Sequence, residues 1–161
     1  MTPTELLDRE SIRHTLASYT MAGDRLRMED FISVFTEDAI LETDGVPEQD
    51  AFRYQGRNAI FDWMNRWRSQ ANPSAGDNAG VHQATFVRHH LSTCHITFDN
   101  AHTARTRTYW TAYTDIGPDH AGVYVDVLRK VNERWLIAHR KIRLDWRSSQ
   151  SLMFTAIANT R

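Results

Sequence analysis

The chain has a single cysteine, Cys94, so no internal disulfide can form, and that usage fits a reducing cytosol. No apolar run comes near the roughly 18 residues that suggest a membrane span. The start, Met1-Thr-Pro-Thr-Glu-Leu-Leu-Asp8, has neither a basic nor an apolar leader region, and no signal peptide is expected. Charge of one sign is also missing. Nineteen Lys and Arg against 20 Asp and Glu leave a formal charge of −1, which provides no bulk attraction to nucleic acid or to an anionic membrane. There is no GxGxxG, P-loop, GxSxG or HExxH, so nucleotide binding and the common hydrolase signatures lack support. These absences predict a cytoplasmic protein that binds neither nucleic acid nor membrane.

What is present describes a globular chain. Its 161 residues suit one domain spanning 1–161, and 41% hydrophobic content is enough for a single core. Five tryptophans, at 63, 67, 110, 135 and 146, are a large aromatic area for this size. Such area fills a core, lines an apolar pocket or forms a subunit interface.

Thr2-Pro3-Thr4-Glu5 has capping-box spacing with Pro at the first helical position, and Asp8 to Ser11 offers a second start. Ile12, Leu16, Tyr19 and Gly23 then form one helical stripe that should end near Gly23. Met28, Phe31, Ile32 and Phe35 mark a short second helix, and Ile60, Trp63, Met64 and Trp67 a third. Short strands are expected over 39–43 and 52–56, and a polar loop over 69–80. From residue 81 the period changes to two. Strands are expected over 81–98, 103–114, 121–131 and 135–146, joined by short connections at 99–102, 115–120 and 132–134. Helices followed by a meander of long strands indicate an α+β fold: one curved antiparallel sheet with helices on one face.

Residues 86–98 of the first of these strands carry three histidines, His89, His90 and His95. Strict alternation groups His90 with Phe86, Ser92, Cys94, Ile96 and Phe98, and His89 with Val87, Leu91, Thr93, His95 and Thr97. Neither face is cleanly apolar, as expected of a strand that lines a greasy pocket holding a few polar groups. Tyr19, Asp24 and His89 are the candidates for that pocket. A carboxylate beside an imidazole fixes its tautomer and stabilises its cation, so the ring can take a proton near neutral pH. A tyrosine hydroxyl can donate to a carbonyl or a developing oxyanion. Plainer roles stand beside these: Tyr19 as a core aromatic, Asp24 as a cap for the second helix, His89 as an ordinary strand residue. His82, His89, His90 and His95 lack ligand spacing and no metal is expected. Arg105, Arg107, Arg140, Arg143 and Arg147 read as solvated sheet faces or interface salt bridges.

The order of several short motifs resembles the SnoaL-like branch of the nuclear transport factor 2-like superfamily, over residues 5 to 147. The first helix from Asp8 to Tyr19, the Phe35-Thr-Glu-Asp-Ala39 step and the Tyr54-Gln-Gly56-Arg57-Asn58-Ala59-Ile60 entry carry it. So do Arg88-His89-His90, Gly122-Val-Tyr124-Val-Asp126 and the final strand to Trp146. The resemblance implies a cone-shaped cystatin-like fold, its curved antiparallel sheet holding N-terminal helices on the concave face. It also implies a cofactor-independent dehydratase-like lyase or isomerase acting on a small cyclic hydrophobic substrate, in a homo-oligomer that is a trimer or dimer. Scytalone dehydratase, bile-acid 7α-dehydratase and hexachlorocyclohexane dehydrochlorinase are the similar enzymes. By position, His89 would be the base, Asp24 its orienting partner and Tyr19 a hydrogen-bond donor, with Tyr54 and Trp63 as pocket walls. Scytalone dehydratase has a second histidine on the next strand, and 103–114 has none; it has a tyrosine before the aspartate, where this chain has Gly23. A different expectation comes from the same fold: a non-catalytic binding or accessory subunit, such as the small subunit of a ring-hydroxylating dioxygenase.

Overall fold

The computed structural model describes residues 1–48, 51–71 and 84–153, with the backbone alone for 67–71. Helix α1 runs Pro3–Asp24, α2 Met28–Ile32 and α3 Arg57–Ala71; the strands are β1 Phe35–Asp44, β2 Arg53–Gln55, β3 Arg88–Asn100, β4 Thr103–Thr114, β5 Gly117–Val131 and β6 Arg134–Arg147. Thr2 caps α1 by accepting the Glu5 N–H at 3.1 Å, with Pro3 inside the first turn. Asp8, the other expected start, instead accepts the Trp135 indole N–H at 2.9 Å and pairs with Lys130.

The six strands form one curved, unclosed sheet in the order β2-β1-β6-β5-β4-β3. The meander β3 to β6 is antiparallel throughout, as the short connections require. One pairing departs from the antiparallel expectation. β1 lies parallel to β6, because the chain between them crosses through β2, α3 and three further strands. Helix α1 packs mainly on β6 and β3, which are separated by two strands, so the sheet bends around it. The buried stripe of α1 comprises Ile12, Leu16, Tyr19 and Ala22 with Thr15 and Thr20, close to the expected one. Ile12, Phe31, Phe35, Leu41, Ile60, Leu128, Trp135 and Ile137 are fully enclosed and form the centre of the core. Burial of each such side chain contributes about 1.5–3 kcal/mol.

Several boundaries differ from the sequence reading: Phe35 opens β1 instead of extending α2, and β3 starts at Arg88. Helix α3 continues through Ala71, three residues into the expected loop, whose remainder lies outside the described residues, as do residues 81–83 of the expected strand with His82. Residues 115–120 are mostly strand: Thr114 pairs with Gly117 across a turn of only Asp115 and Ile116. Gly117 sits at φ 88°, a left-handed angle that glycine adopts without strain, and its position tightens the hairpin. In the C-terminal tail, read from the sequence as 148–161, residues 148–153 fold back on the same chain, the Ser148 N–H reaching the Asp119 carbonyl at 2.7 Å; 154–161 lie outside the described residues. Among the described residues no helix is long and apolar enough to cross a membrane.

Candidate active site

Helix α1 ends in a Schellman cap. The Arg27 N–H reaches the Ala22 carbonyl at 2.9 Å and the Leu26 N–H that of Gly23 at 3.0 Å, with Leu26 at φ 53°. The left-handed residue is therefore Leu26, and Gly23 has another duty. A Cβ there would lie 3.4 Å from Met64 Cε of α3 and 3.5 Å from the Phe31 ring. The cap leaves Asp24 as the last helical residue, where a carboxylate opposes the helix dipole by about 0.3–1 kcal/mol.

Compensation comes from the sheet. β3 is an edge strand, and the His89 N–H donates to Asp24 Oδ2 at 2.8 Å while His89 Nδ1 meets Asp24 Oδ1 at 2.6 Å. Both carboxylate oxygens are thus spent on one residue 65 positions away. Asp24 does not cap α2, whose N-cap, Arg27, makes no side-chain cap bond. Against a carboxylate the ring nitrogen is the donor, so Nδ1 carries the proton and Nε2 keeps its lone pair. The Asp24 side chain is 6% exposed and that of His89 23%, so the imidazole sits at the rim of the interior with its partner behind it.

The strand histidines are sorted by a bulge. Leu91 pairs with Trp110 but Cys94 with Thr108, so one extra residue lies at Ser92–Thr93 and the alternation slips. The inward face is therefore Val87, His89 and Leu91 followed by Cys94, Ile96 and Phe98, all in contact with the core except the rim residue His89. This corrects the grouping from strict alternation and explains why neither predicted face was apolar. His90 points the other way and stacks on Tyr113 at 4.6 Å between centroids; His95 is exposed.

Cross-strand register builds the site in rows. His89 lies beside Ala112, and Ala112 beside His120; the next row is Leu91, Trp110 and Gly122. The absence of a Cβ at Gly122 leaves room on that face of the sheet. Gly122 is obligatory there, since a Cβ would fall 2.9 Å from Trp110 Cζ2 and 1.9 Å from the Arg143 carbonyl oxygen. The Trp110 indole lies in that space, 5.8 Å from the His89 ring, 5.4 Å from His120 and stacked on Tyr124 at 5.4 Å.

His120 belongs to a second Asp–His pair that the sequence reading missed. Asp119 is the extra residue of a bulge, for Ala112 pairs with His120 and Tyr113 with Pro118. Consecutive residues Asp119 and His120 can then both face inward, 0% and 6% exposed. Asp119 accepts from His120 Nδ1 at 2.8 Å, Thr114 Oγ1 at 3.0 Å, Ser151 Oγ at 2.5 Å and the Leu152 N–H at 2.8 Å. Burial raises the Asp119 pKa, but the donors from Ser151, Leu152, His120 and Thr114 outweigh it and leave it below the usual value. Burial pushes the His120 imidazole down; the Asp119 bond opposes this and the neighbouring His89 charge adds to it. An Asp inside a stretch read as a connection carried no strand period to reveal it.

Deeper in, the structure corrects the reading of Arg140. It is fully buried, its guanidinium bound to Asp126 by Nε at 2.8 Å and Nη2 at 2.7 Å and held between the rings of Tyr19 and Tyr124 at 4.0 and 4.1 Å. Asp126 and Arg140 face each other in register, and Thr106 adds a bond to Asp126 at 3.1 Å. Aspartate among valines opposite an arginine was the available signal. Tyr19 is 7% exposed and its ring packs against Phe31, Phe35 and Tyr124; burial raises its pKa, Arg140 opposes this, and the Asp24 charge reaches it. Burial likewise raises Tyr124 well above the ordinary phenol value. Tyr54 and Trp63 stack with Phe52 and each other at 5.0–5.8 Å on β2 and α3; among the described residues no ring contact joins them to His89. A Cβ at Gly23 would meet Met64, next to Trp63, so α3 lies close to the Asp24 end of α1. Among the described residues no three His, Cys, Asp or Glu side chains converge as metal ligands.

The model of the SnoaL-like domain matches residues 4–141. The chain belongs to the SnoaL-like family. No curated protein matches it. Among solved structures, this SnoaL-like chain is similar to a protein provisionally named a scytalone dehydratase from Novosphingobium aromaticivorans, with 24% identity, 92% and 91% of the two chains covered and a TM-score of 0.68. It is similar to hexachlorocyclohexane dehydrochlorinase LinA-type3 from Novosphingobium barchaimii, with 14% identity, 90% and 91% covered and a TM-score of 0.68. The beta subunit of a provisionally named aromatic-ring-hydroxylating dioxygenase from Novosphingobium aromaticivorans shares 19% identity, with 94% and 97% covered and a TM-score of 0.69. At these identities the likeness is one of fold, described elsewhere among such neighbours as cystatin-like.

Proposed function

We propose that the chain, as a single SnoaL-like domain, is a cofactor-independent, dehydratase-like lyase or isomerase for a small cyclic hydrophobic substrate. The observation that carries this reading is the two-point clamp of Asp24 on His89, at 2.6 and 2.8 Å, across 65 residues. Fixing both ring tautomer and backbone exceeds what packing needs, and it supports Nε2 as the base. In an elimination, Nε2 takes the proton on the carbon next to an electron-withdrawing group. The C–H electron pair forms the double bond as the leaving group departs with its own pair, and imidazolium returns the proton to a departing hydroxide as water. In an isomerisation the same proton returns to a different carbon. Tyr19, kept a neutral phenol by burial, serves as hydrogen-bond donor, and Tyr54 and Trp63 form part of the pocket wall. The arrangement would work in a cytoplasmic homo-oligomer, trimer or dimer. His89→Ala, assayed on a panel of alicyclic β-hydroxy ketones, is expected to lose about 10²–10⁴ in turnover, the usual worth of a positioned base. Unchanged turnover removes His89 from the role.

A second reading, an accessory subunit, is favoured by the likeness to the dioxygenase beta subunit. It requires a large partner chain and no Asp24–His89 contact. Co-purification of a chain carrying a Rieske centre would support it.

A further inference from the structure

Trp110 is 3% exposed, yet among the described residues its indole Nε1–H has no hydrogen-bond partner. A buried N–H left unpaired costs about 1–3 kcal/mol, and the great majority of such groups find a partner. The cost is borne here within ring contact of both histidines, in the row next to His89 and on a surface that Gly122 keeps flat. A second orphan, Arg140 Nη1, is enclosed by Tyr19 and Tyr124 and lies further along the sheet from His89. Indole donates and cannot accept, so whatever completes Trp110 presents an acceptor atom.

We propose that Trp110 Nε1–H receives the substrate's carbonyl oxygen, making it a specificity-determining residue that selects cyclic ketones over equally apolar rings. This rests on the reading of His89 as the base. A carbonyl held there has its α-hydrogen on the His89 side. As Nε2 takes that proton, the electron pair moves onto the oxygen, and the indole N–H meets the developing charge without reorganising. Discrimination follows the usual asymmetry. A site built around a donor rejects an analogue that leaves the donor unpaired, whereas shape alone separates isosteres poorly.

The test uses α-tetralone and the hydrocarbon in which C=CH2 replaces its C=O, titrated calorimetrically into the full chain. The wild type is expected to bind the ketone about tenfold more tightly, the worth of one such bond. In Trp110→Phe, which keeps a flat ring on Gly122, the ratio should fall to about one. The indole N–H resonance of Trp110 should move with the ketone and not with the hydrocarbon. An unchanged ratio in Trp110→Phe, no preference in the wild type, or an indole resonance unmoved at saturating ketone overturns the proposal. The resonance measurement decides even if Trp110→Phe does not fold. His89→Ala separates the two ideas: it should lose turnover while keeping the ketone preference. Retained turnover there removes the base and leaves the Trp110 ratio to be judged separately.

Discussion

Two Asp–His pairs face one another across Ala112, their imidazoles 6.0 Å apart, and they are built differently. Asp119 and His120 are adjacent in sequence, almost wholly buried, and the carboxylate is saturated by four donors from β4, β5 and the tail. Asp24 and His89 join a helix end to an edge strand, and among the described residues the carboxylate bonds only His89 while the imidazole keeps its rim exposure. A saturated, enclosed pair locks structure. A pair whose carboxylate has one committed partner and whose imidazole keeps some exposure differs from it in what the ring has left to offer. The difference shows that contact between the same two residue types does not define chemistry; the remaining valences do.

The sharpest way to break this contrast is Asp119→Ala. It strands Thr114, His120, Ser151 and the Leu152 N–H, and a stability loss of about 3–5 kcal/mol is expected in urea unfolding, typical for removing a buried charged partner. Asp24→Asn should act in the opposite sense. Turnover is expected to fall about a hundredfold because the amide no longer favours the Nδ1–H tautomer, with stability lowered by only about 1 kcal/mol. Equal stability losses in the two variants would erase the distinction. Gly122→Ala tests the surface shared by both pairs. Its Cβ would meet the Arg143 carbonyl and Trp110, so a loss of about 1–3 kcal/mol and an altered tryptophan emission are expected.

The smallest effect is a pH dependence. Burial lowers the His120 pKa below its unfolded value of 6.5, so the unfolded chain binds the proton first as pH falls. Stability from this group is complete above pH 6.5 and declines as pH drops through the folded pKa. The lowered Asp119 pKa adds a second decline below its ordinary 3.8. Thermal melts of His120→Gln should lose the first decline and keep the second, whereas an identical profile would mean that His120 is not held neutral by the fold.

Much of the architecture was legible. The stripe of Ile12, Leu16 and Tyr19 and the period of two over 103–114 are direct images of burial, because each element shows one face to the core. Asp24 and His89 could be paired by resemblance to a family, and only coordinates could show both carboxylate oxygens closing on one residue. The sites that escaped lie where periodicity fails. The bulge at Ser92–Thr93 reverses the faces of β3, and the bulge at Asp119 turns an apparent connection into a buried pair. Arg140 looked solvated because an arginine usually is, and only the facing Asp126 makes its burial tolerable.

The sequence by itself determined which segments are helix and strand, and that the strands form a meander, since local periodicity and short connections carry that information. Tertiary structure alone decided which polar groups meet and which are left unpaired. A one-residue bulge costs nothing in composition, yet it moves every following side chain to the other face of the sheet.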